Sequence, residues 1–271
     1  MLAQGHRFRL ITNDAATLSA RYAALQVPVP DLIEHRFTLA VPPIPFRAAH
    51  RKLELFGAFA GGGFGDCPAL IDIDTVLLRP WPIALMPGEL QVYDISDDLA
   101  PDGDRRFASD IAAVLGRTVA DPRWWGGEFI AGNPAAFARL AAAVEQLWPA
   151  YLGVVDRLDH VGDEAVTTAA LTRLREQGLP LRDIGGVGVR RWWSARTIVR
   201  PRASLREAME TALLHLPSDK PFLARYADAK VPLAAFPRMY RRHVARKLPT
   251  RHLVRLAEQL TGRPTKHVPR L

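Results

Sequence analysis

The chain has 271 residues, of which 48% are hydrophobic and 24% are charged. This length and composition predict one large globular domain or two small ones, and they exclude a wholly disordered chain. No run approaches the roughly 18 uncharged apolar residues of a membrane-spanning helix, and the first residues lack the apolar segment of a signal peptide, so a cytoplasmic protein is expected.

The net charge of +8 is concentrated at one end of the chain. Between residues 237 and 271, ten Lys or Arg residues stand against Glu258 alone, which gives this segment a charge of +9 and leaves the other 236 residues at −1. We therefore predict a body at residues 1–236 and a basic helical tail at residues 237–271. The tail has no recognisable nucleic-acid-binding module, so nucleic acid is not an expected partner.

Strands and helices are predicted to alternate along the body. The predicted elements of the first half are a strand at 8–12, a helix at 15–25 capped by Asp14, strands at 32–37, around Asp72 and Asp74, at 90–95 and at 128–131, and a helix at 47–59. Those of the second half are helices at 134–148 and 163–177, short strands near Leu181, Val189 and Thr197 and at 213–216, and tail helices at 239–247 and 251–260, separated by Pro249. This alternation favours a mixed α/β fold in which helices flank the sheet.

Two carboxylates sit two residues apart at the end of a short apolar run. Alternate residues of an extended strand point to the same face, so Asp72 and Asp74 can converge on one divalent cation while Ile71 and Ile73 face the core. The alternative interpretation is a solvated Asp-x-Asp pair in a turn.

Four ordered segments carry a family resemblance. They are LIDIDTVLLRP at 70–80, WGGEFIAG at 125–132, HVGDEAV at 160–166 and LHLPSDKPF at 214–222. Together with a basic helix at 47–59, they resemble metal-dependent, retaining glycosyltransferases of the GT-A fold, of the family-8 type that includes glycogenin and lipopolysaccharide galactosyltransferases. The resemblance implies a Rossmann-like mixed sheet, of which residues 5–12 look like the second strand, so the first strand is expected to be missing from the given chain.

The resemblance also implies roles for individual residues. The implied metal ligands are Asp72, Asp74 and His215; the implied donor-binding residues are Lys52, Asp72, Gly127 and Lys220; and the implied catalytic pair beneath the donor sugar is Asp163 and Glu164. Two carboxylates and one imidazole suit Mn²⁺, with Mg²⁺ as the second choice.

Simpler interpretations of the same residues remain open. Taken singly, Lys52 fits a surface lysine of an amphipathic helix, Asp163 a helix N-cap and His215 a structural histidine. The chain also departs from the family pattern, because Gly-Gly-Glu replaces the usual Asn-x-Gly, Glu164 stands where Gln is common, and the late Lys comes five positions after the His rather than six.

The function implied by the resemblance is transfer of a hexose from a nucleotide diphosphate sugar, a UDP-sugar, to a glycan or lipid-linked acceptor. One alternative is a phosphatase of the haloacid dehalogenase type, with Asp72 as nucleophile and Asp74 as acid and base. Another is a non-catalytic binding protein with a basic tail. The tail itself fits a peripheral contact with anionic membrane, so deleting the residues after Pro237 is expected to leave soluble turnover and to abolish vesicle binding.

Overall fold

The computed structural model describes residues 7–100, 105–194, 204–228 and 231–261. The chain divides into two compact units, Met1–Pro42 and Pro43–Leu271. The predicted strand near Thr197 and the last ten residues of the predicted tail lie outside the described residues. Among the helices that are described, none is both long and apolar enough to cross a membrane.

The first unit contains two parallel strands joined by a helix. Strand β1 (Arg9–Thr12) pairs with β2 (Asp31–Glu34), and helix α1 (Ala15–Ala24) connects them. The Asp14 side chain accepts a hydrogen bond of 2.9 Å from the backbone N–H of Thr17. This bond satisfies one of the free donors at the start of α1, as the sequence predicts.

The second unit contains a four-stranded and a three-stranded sheet. The four-stranded sheet has the order β3 (Ala69–Ile71), β6 (Trp125–Gly132), β5 (Leu90–Asp94) and β7 (Leu181–Asp183). The three-stranded sheet has the order β4 (Thr75–Leu77), β9 (Leu213–His215) and β8 (Val189–Arg191). Both sheets are mixed, because β5 pairs with β7 and β8 pairs with β9 in parallel while the other neighbours are antiparallel.

Helices cover these sheets and confirm the predicted mixed α/β class. They are α2 (Arg47–His50), α3 (Glu54–Ala60), α4 (Ser96–Leu99), α5 (Arg106–Leu115), α6 (Pro134–Val154), α7 (Asp163–Glu176), α8 (Leu205–Ala208), α9 (Lys220–Asp228) and α10 (Phe236–Thr261). Helix α6 packs against α3 and α7, and α7 packs against β6. The core between them includes Leu90, Ile130, Phe137 and Val166, all almost completely buried.

The predicted helix at 47–59 is interrupted. A 3₁₀ turn at Arg51–Leu53 separates α2 from α3. This turn carries Lys52, whose side chain is only 18% exposed. The interpretation of Lys52 as a surface lysine of a regular helix is therefore wrong.

The two aspartates lie in a turn and not on a strand. Strand β3 ends at Ile71 and β4 begins at Thr75, so Asp72 and Asp74 fall in the connection between the two sheets. Ile73, predicted to face the core, is 83% exposed, because a turn does not keep the alternating faces of a strand. The alternative interpretation, in which the Asp-x-Asp pair lies in a turn, is therefore correct for the backbone conformation.

The basic tail begins as one continuous helix. Helix α10 passes through Pro249, where two helices were predicted. Pro249 removes the N–H that would pair with the carbonyl of Ala245, and both residues are exposed, so water can satisfy that carbonyl.

The first turns of α10 belong to the core of the body. Phe236, Tyr240 and Val244 are buried in one hydrophobic cluster with Trp192 and Phe222. A truncation after Pro237 would remove two of these core residues, so turnover is not expected to survive it. A cut that spares the core has to lie beyond residue 247.

Candidate metal and donor site

The Asp-x-Asp turn is tied to both sheets of the second unit. The backbone N–H of Asp72 donates to the carbonyl of Glu128 on β6 (3.1 Å), and the carbonyl of Asp74 accepts from the N–H of Leu216 after β9 (2.9 Å). The hydroxyl of Thr75 closes the turn by donating to the carbonyl of Asp72 (2.7 Å). These bonds fix the directions of both carboxylates.

His215 reaches the aspartates through strand pairing. Strands β9 and β4 are antiparallel with His215 opposite Thr75, which places the imidazole beside the turn. Its Nε2 lies 3.2 Å from Asp74 Oδ1 and 3.8 Å from Asp72 Oδ2. One possible ligand atom from each of the three residues lies within 4.8 Å of the others. The donor set, two carboxylates and one imidazole, fits a divalent ion such as Mn²⁺.

A buried carboxylate lies behind His215. Glu128 Oε1 is 3.4 Å from His215 Nδ1, the ring nitrogen that does not face the aspartates. Glu128 also accepts two hydrogen bonds from Arg191, one of them 3.0 Å from Nε. Glu128 and Arg191 are both buried. Because the group bound to the second nitrogen of a ligand imidazole sets its orientation, Glu128 is placed to orient His215.

Lys52 joins three parts of the site. Its Nζ lies 3.1 Å from Asp72 Oδ1 and 2.7 Å from Asp163 Oδ2, and it donates to the carbonyl of Gly127 at 3.0 Å. A Cβ atom at Gly127 would come within 2.9 Å of Asp163 Oδ2 and 3.1 Å of Lys52 Nζ. The absence of a side chain at Gly127 therefore allows Lys52 and Asp163 to meet.

Glu164 is engaged by protein donors at both carboxylate oxygens. Oε1 accepts from the backbone N–H of Gly127 (3.1 Å) and from Arg191, and Oε2 accepts from Trp124 Nε1 (3.1 Å). Glu164 therefore links the start of α7 to strands β6 and β8.

Lys220 stands on the open side of the ligand set. It is the first residue of α9, and its Nζ lies 3.4 Å from Asp74 Oδ2. Its side chain is 67% exposed, in contrast to that of Lys52. The ammonium group of Lys220 is thus accessible to an anionic ligand.

Asp74 and His215 carry opposite charges. Burial opposes the charged form of His215, but Asp74 and Glu128 raise the pKa of its imidazole to about 9. Burial likewise opposes the charged form of Asp74, but His215 and Lys220 lower its pKa to about 2. A divalent ion bound here would replace the imidazole proton, because a histidine ligand binds metal in its neutral form.

The pair at the start of α7 has an unequal electrostatic environment. Burial raises the pKa of Asp163 to about 6, although Lys52 acts in the opposite direction. Burial also disfavours the charged form of Glu164, but Arg191 lowers the pKa of that carboxyl below its ordinary value. The two neighbouring carboxyls therefore hold their charge to different degrees near neutral pH.

The structure brings the predicted site residues into one region. These residues are Lys52, Asp72, Asp74, Gly127, Asp163, Glu164, His215 and Lys220. Glu128 and Arg191, which lie beneath them, were not predicted as site residues. A charged residue within the apolar strand WGGEFIAG signals a buried ion pair, since a buried carboxylate needs a partner. The partner, 63 residues later, has no local pattern that identifies it.

Comparison with known proteins yields distant similarity at the level of structure. No family model matches the chain, and no curated protein matches it either. Among solved structures, the chain is similar to the crystal structure of the galactosyltransferase LgtC in complex with donor and acceptor sugar analogs, with a TM-score of 0.40 and 13% identity. The match covers 70% of this chain and 66% of that one, so the chain matches just under two thirds of the length of LgtC. At these values, the similarity assigns neither a family nor an activity to this chain.

Proposed function

We propose that this protein is a metal-dependent glycosyltransferase of the GT-A type, which moves a hexose from a UDP-sugar to a glycan or lipid-linked acceptor with retention of anomeric configuration. The observation that carries the proposal is a metal-ligand set flanked by two lysines. Lys52 lies 3.1 Å from Asp72, and Lys220 lies 3.4 Å from Asp74. A diphosphate is the ligand class that uses a divalent ion and ammonium groups together.

The chemistry of sugar transfer explains the need for these groups. In the transfer, the acceptor hydroxyl oxygen bonds to the anomeric carbon and releases its proton, while the bond between the anomeric carbon and the diphosphate breaks and its electron pair goes to the diphosphate oxygen. Fixed positive groups that face this oxygen lower the barrier, and Lys52 and Lys220 would supply two of them. A divalent ion held by Asp72, Asp74 and His215 would act as a Lewis acid on the same leaving group.

The pair on α7 is assigned to the donor sugar. The carboxylate of Asp163 lies 2.7 Å from Lys52 Nζ and beside Gly127, so Asp163 is the member of the pair that we assign to direct contact with the sugar. Glu164 uses both oxygens on protein donors, which supports an indirect role in orienting the sugar, through the backbone of Gly127.

The proposal extends to a cytoplasmic membrane surface. In the second half of α10, Leu253, Leu256 and Leu260 are 67%, 53% and 78% exposed. Their spacing of three and four residues places them on one face of the helix. An exposed apolar face in a segment of charge +9 suits a helix lying on anionic lipid, where lipid-linked acceptors are found.

Calorimetric titration of UDP into the purified protein, with and without Mn²⁺, tests the proposal. We expect binding that requires Mn²⁺ and that Asp74→Asn removes, whereas Asp156→Asn, a change at an exposed carboxylate, leaves it intact. No binding of UDP by the wild-type protein in the presence of Mn²⁺ would overturn the proposal. Phosphatase activity towards p-nitrophenyl phosphate would then favour the dehalogenase-type alternative, and absence of both would favour a binding protein.

A further inference from the structure

An ionised carboxylate connects α10 to the loop that carries the late metal and diphosphate residues. Asp219 lies between His215 and Lys220 and is 1% exposed. Its Oδ2 accepts hydrogen bonds from Tyr240 (2.7 Å) and Ser194, and its Oδ1 accepts from His243 and Lys247. Four donors on one buried carboxylate form a strongly directional contact.

Three of the four donors lie on one face of α10. Tyr240, His243 and Lys247 are separated by three and four residues, so they point in the same direction from the helix. Lys247 also donates to Ser194 Oγ at 2.9 Å, which closes the cluster. We call the side chains of Ser194, Asp219, Tyr240, His243 and Lys247 the Asp219 cluster.

Backbone hydrogen bonds connect Asp219 to the residues on both sides of it in the chain. On one side, the N–H of Asp219 donates to the carbonyl of Leu216 (3.0 Å), and the N–H of Leu216 donates to the carbonyl of Asp74 (2.9 Å). On the other side, the carbonyl of Asp219 accepts from the N–H groups of Phe222 and Leu223 (both 2.9 Å), which fixes the first turn of α9. Lys220 lies inside that turn.

Packing of rings reinforces the same junction. The ring of His243 stacks on that of Phe222, with centroids 4.5 Å apart, and Phe222 is also 5.3 Å from Tyr240. The first turns of α10 and the first turn of α9 are therefore held by both apolar and ionic contacts.

We propose that Asp219 is a positioning residue for the donor site, through which α10 holds residues 216–220 and so fixes Lys220 beside the metal-ligand set. The inference rests on the proposed function in one respect, namely that Lys220 contacts the diphosphate. In this inference, α10 is a structural part of the donor site.

A double-mutant cycle on UDP affinity in the presence of Mn²⁺ tests the donor role of Asp219. We expect Asp219→Asn and Lys220→Met each to weaken UDP binding about tenfold, the size of one charge-assisted hydrogen bond. In the double variant the loss should stay near that of Lys220→Met alone, since a mispositioned Lys220 and an absent one are equivalent. Arg246→Met, at an exposed position on the same helix, is the matched control and should bind UDP as the wild type does. Losses that multiply, or unchanged UDP affinity in folded Asp219→Asn, would overturn the inference.

Amide hydrogen exchange in the ligand-free protein separates this inference from the proposed function. Exchange at residues 216–223 should be faster in Asp219→Asn and in Lys247→Met than in Arg246→Met, and Lys247→Met serves if Asp219→Asn does not fold. Unchanged exchange in these variants would show that the Asp219 cluster does not order the loop, whatever UDP does. A further outcome is that the wild type fails to bind UDP while amide exchange at residues 216–223 is faster in the variants. That result would contradict the proposed function and support the ordering of the loop by Asp219.

Discussion

A Cβ atom added at Gly127 would collide with the side chains of Asp163 and Lys52. It would lie 2.9 Å from Asp163 Oδ2 and 3.1 Å from Lys52 Nζ. Gly127→Ala is therefore expected to lower the free energy of unfolding by about 1–3 kcal/mol and to weaken metal-dependent UDP binding. Urea denaturation and calorimetry measure the two effects.

Gly153→Ala provides the matched control for this substitution. Gly153 lies within α6, and a Cβ atom there would meet nothing within 4 Å. This change is expected to raise the free energy of unfolding by about 0.5–1 kcal/mol, because alanine has the higher helix propensity. A Gly127→Ala protein as stable as the wild type would contradict the close packing described for the site.

The buried ion pair of Glu128 and Arg191 joins β6 of one sheet to β8 of the other. Glu128→Gln would leave the guanidinium with Glu164 as its remaining acidic partner, at a cost of about 3 kcal/mol in unfolding free energy. The same change at Glu176, whose pair with Arg117 is exposed, should cost less than about 1 kcal/mol. Denaturation of the two variants under identical conditions compares these values, and equal losses would contradict the buried character of the first pair.

Several elements were predictable because their signals are local. Asp14 before an apolar-periodic run marks the start of α1, and the prediction was right to within one residue at the end of that helix. Strand β6 was predicted at 128–131 but begins at Trp125, and its two glycines lie in the interval where the register between β5 and β6 shifts. Local pattern alone could not show this, because strand pairing is a non-local interaction.

The residues of the candidate site could be predicted from the sequence, but the backbone conformation of the segment that carries Asp72 could not. The convergence of Asp72 with His215 depends on the pairing of β4 and β9, which lie about 140 residues apart in the chain. A strand was inferred at Asp72 where a turn achieves the same convergence. The Asp219 cluster was missed because its members come from three separate segments that share no motif.

The hydrogen bonds between α10 and Asp219 predict that the stability of the fold depends on pH. Burial by itself would raise the pKa of Asp219, but hydrogen bonds from Lys247, Ser194, Tyr240 and His243 lower it below its ordinary value of 3.8. The ionised carboxylate therefore stabilises the fold, in full above about pH 4 and progressively less as pH falls through the pKa of the folded state.

Unfolding free energies of the wild type and of Asp219→Asn, measured between pH 7 and pH 3, test this dependence. The difference between the two proteins should be constant near neutral pH and should shrink below about pH 4. A difference that persists undiminished at pH 3 would contradict the assignment.

The charge of the protein is divided between a nearly neutral body and a strongly basic C-terminal segment. We therefore expect binding to vesicles that contain anionic lipid, and a decrease of that binding as salt screens the charges. Replacement of Leu253, Leu256 and Leu260 by Ser should reduce vesicle flotation, while Val187→Ser, at another exposed apolar residue, should not. Equal flotation of the two variants would contradict a membrane role for the apolar face of α10.

In the proposed function, the acidic turn, His215 and the two lysines form one site for transfer from a nucleotide diphosphate sugar. The most direct measurement is the release of UDP from a panel of UDP-hexoses, with and without Mn²⁺, by the wild type and by Asp74→Asn. We predict slow, Mn²⁺-dependent release from one or a few of these donors, at least tenfold faster in the wild type than in the variant. Release that is equal in the two proteins, or absent from every donor while p-nitrophenyl phosphate is hydrolysed, would contradict the proposed sugar transfer.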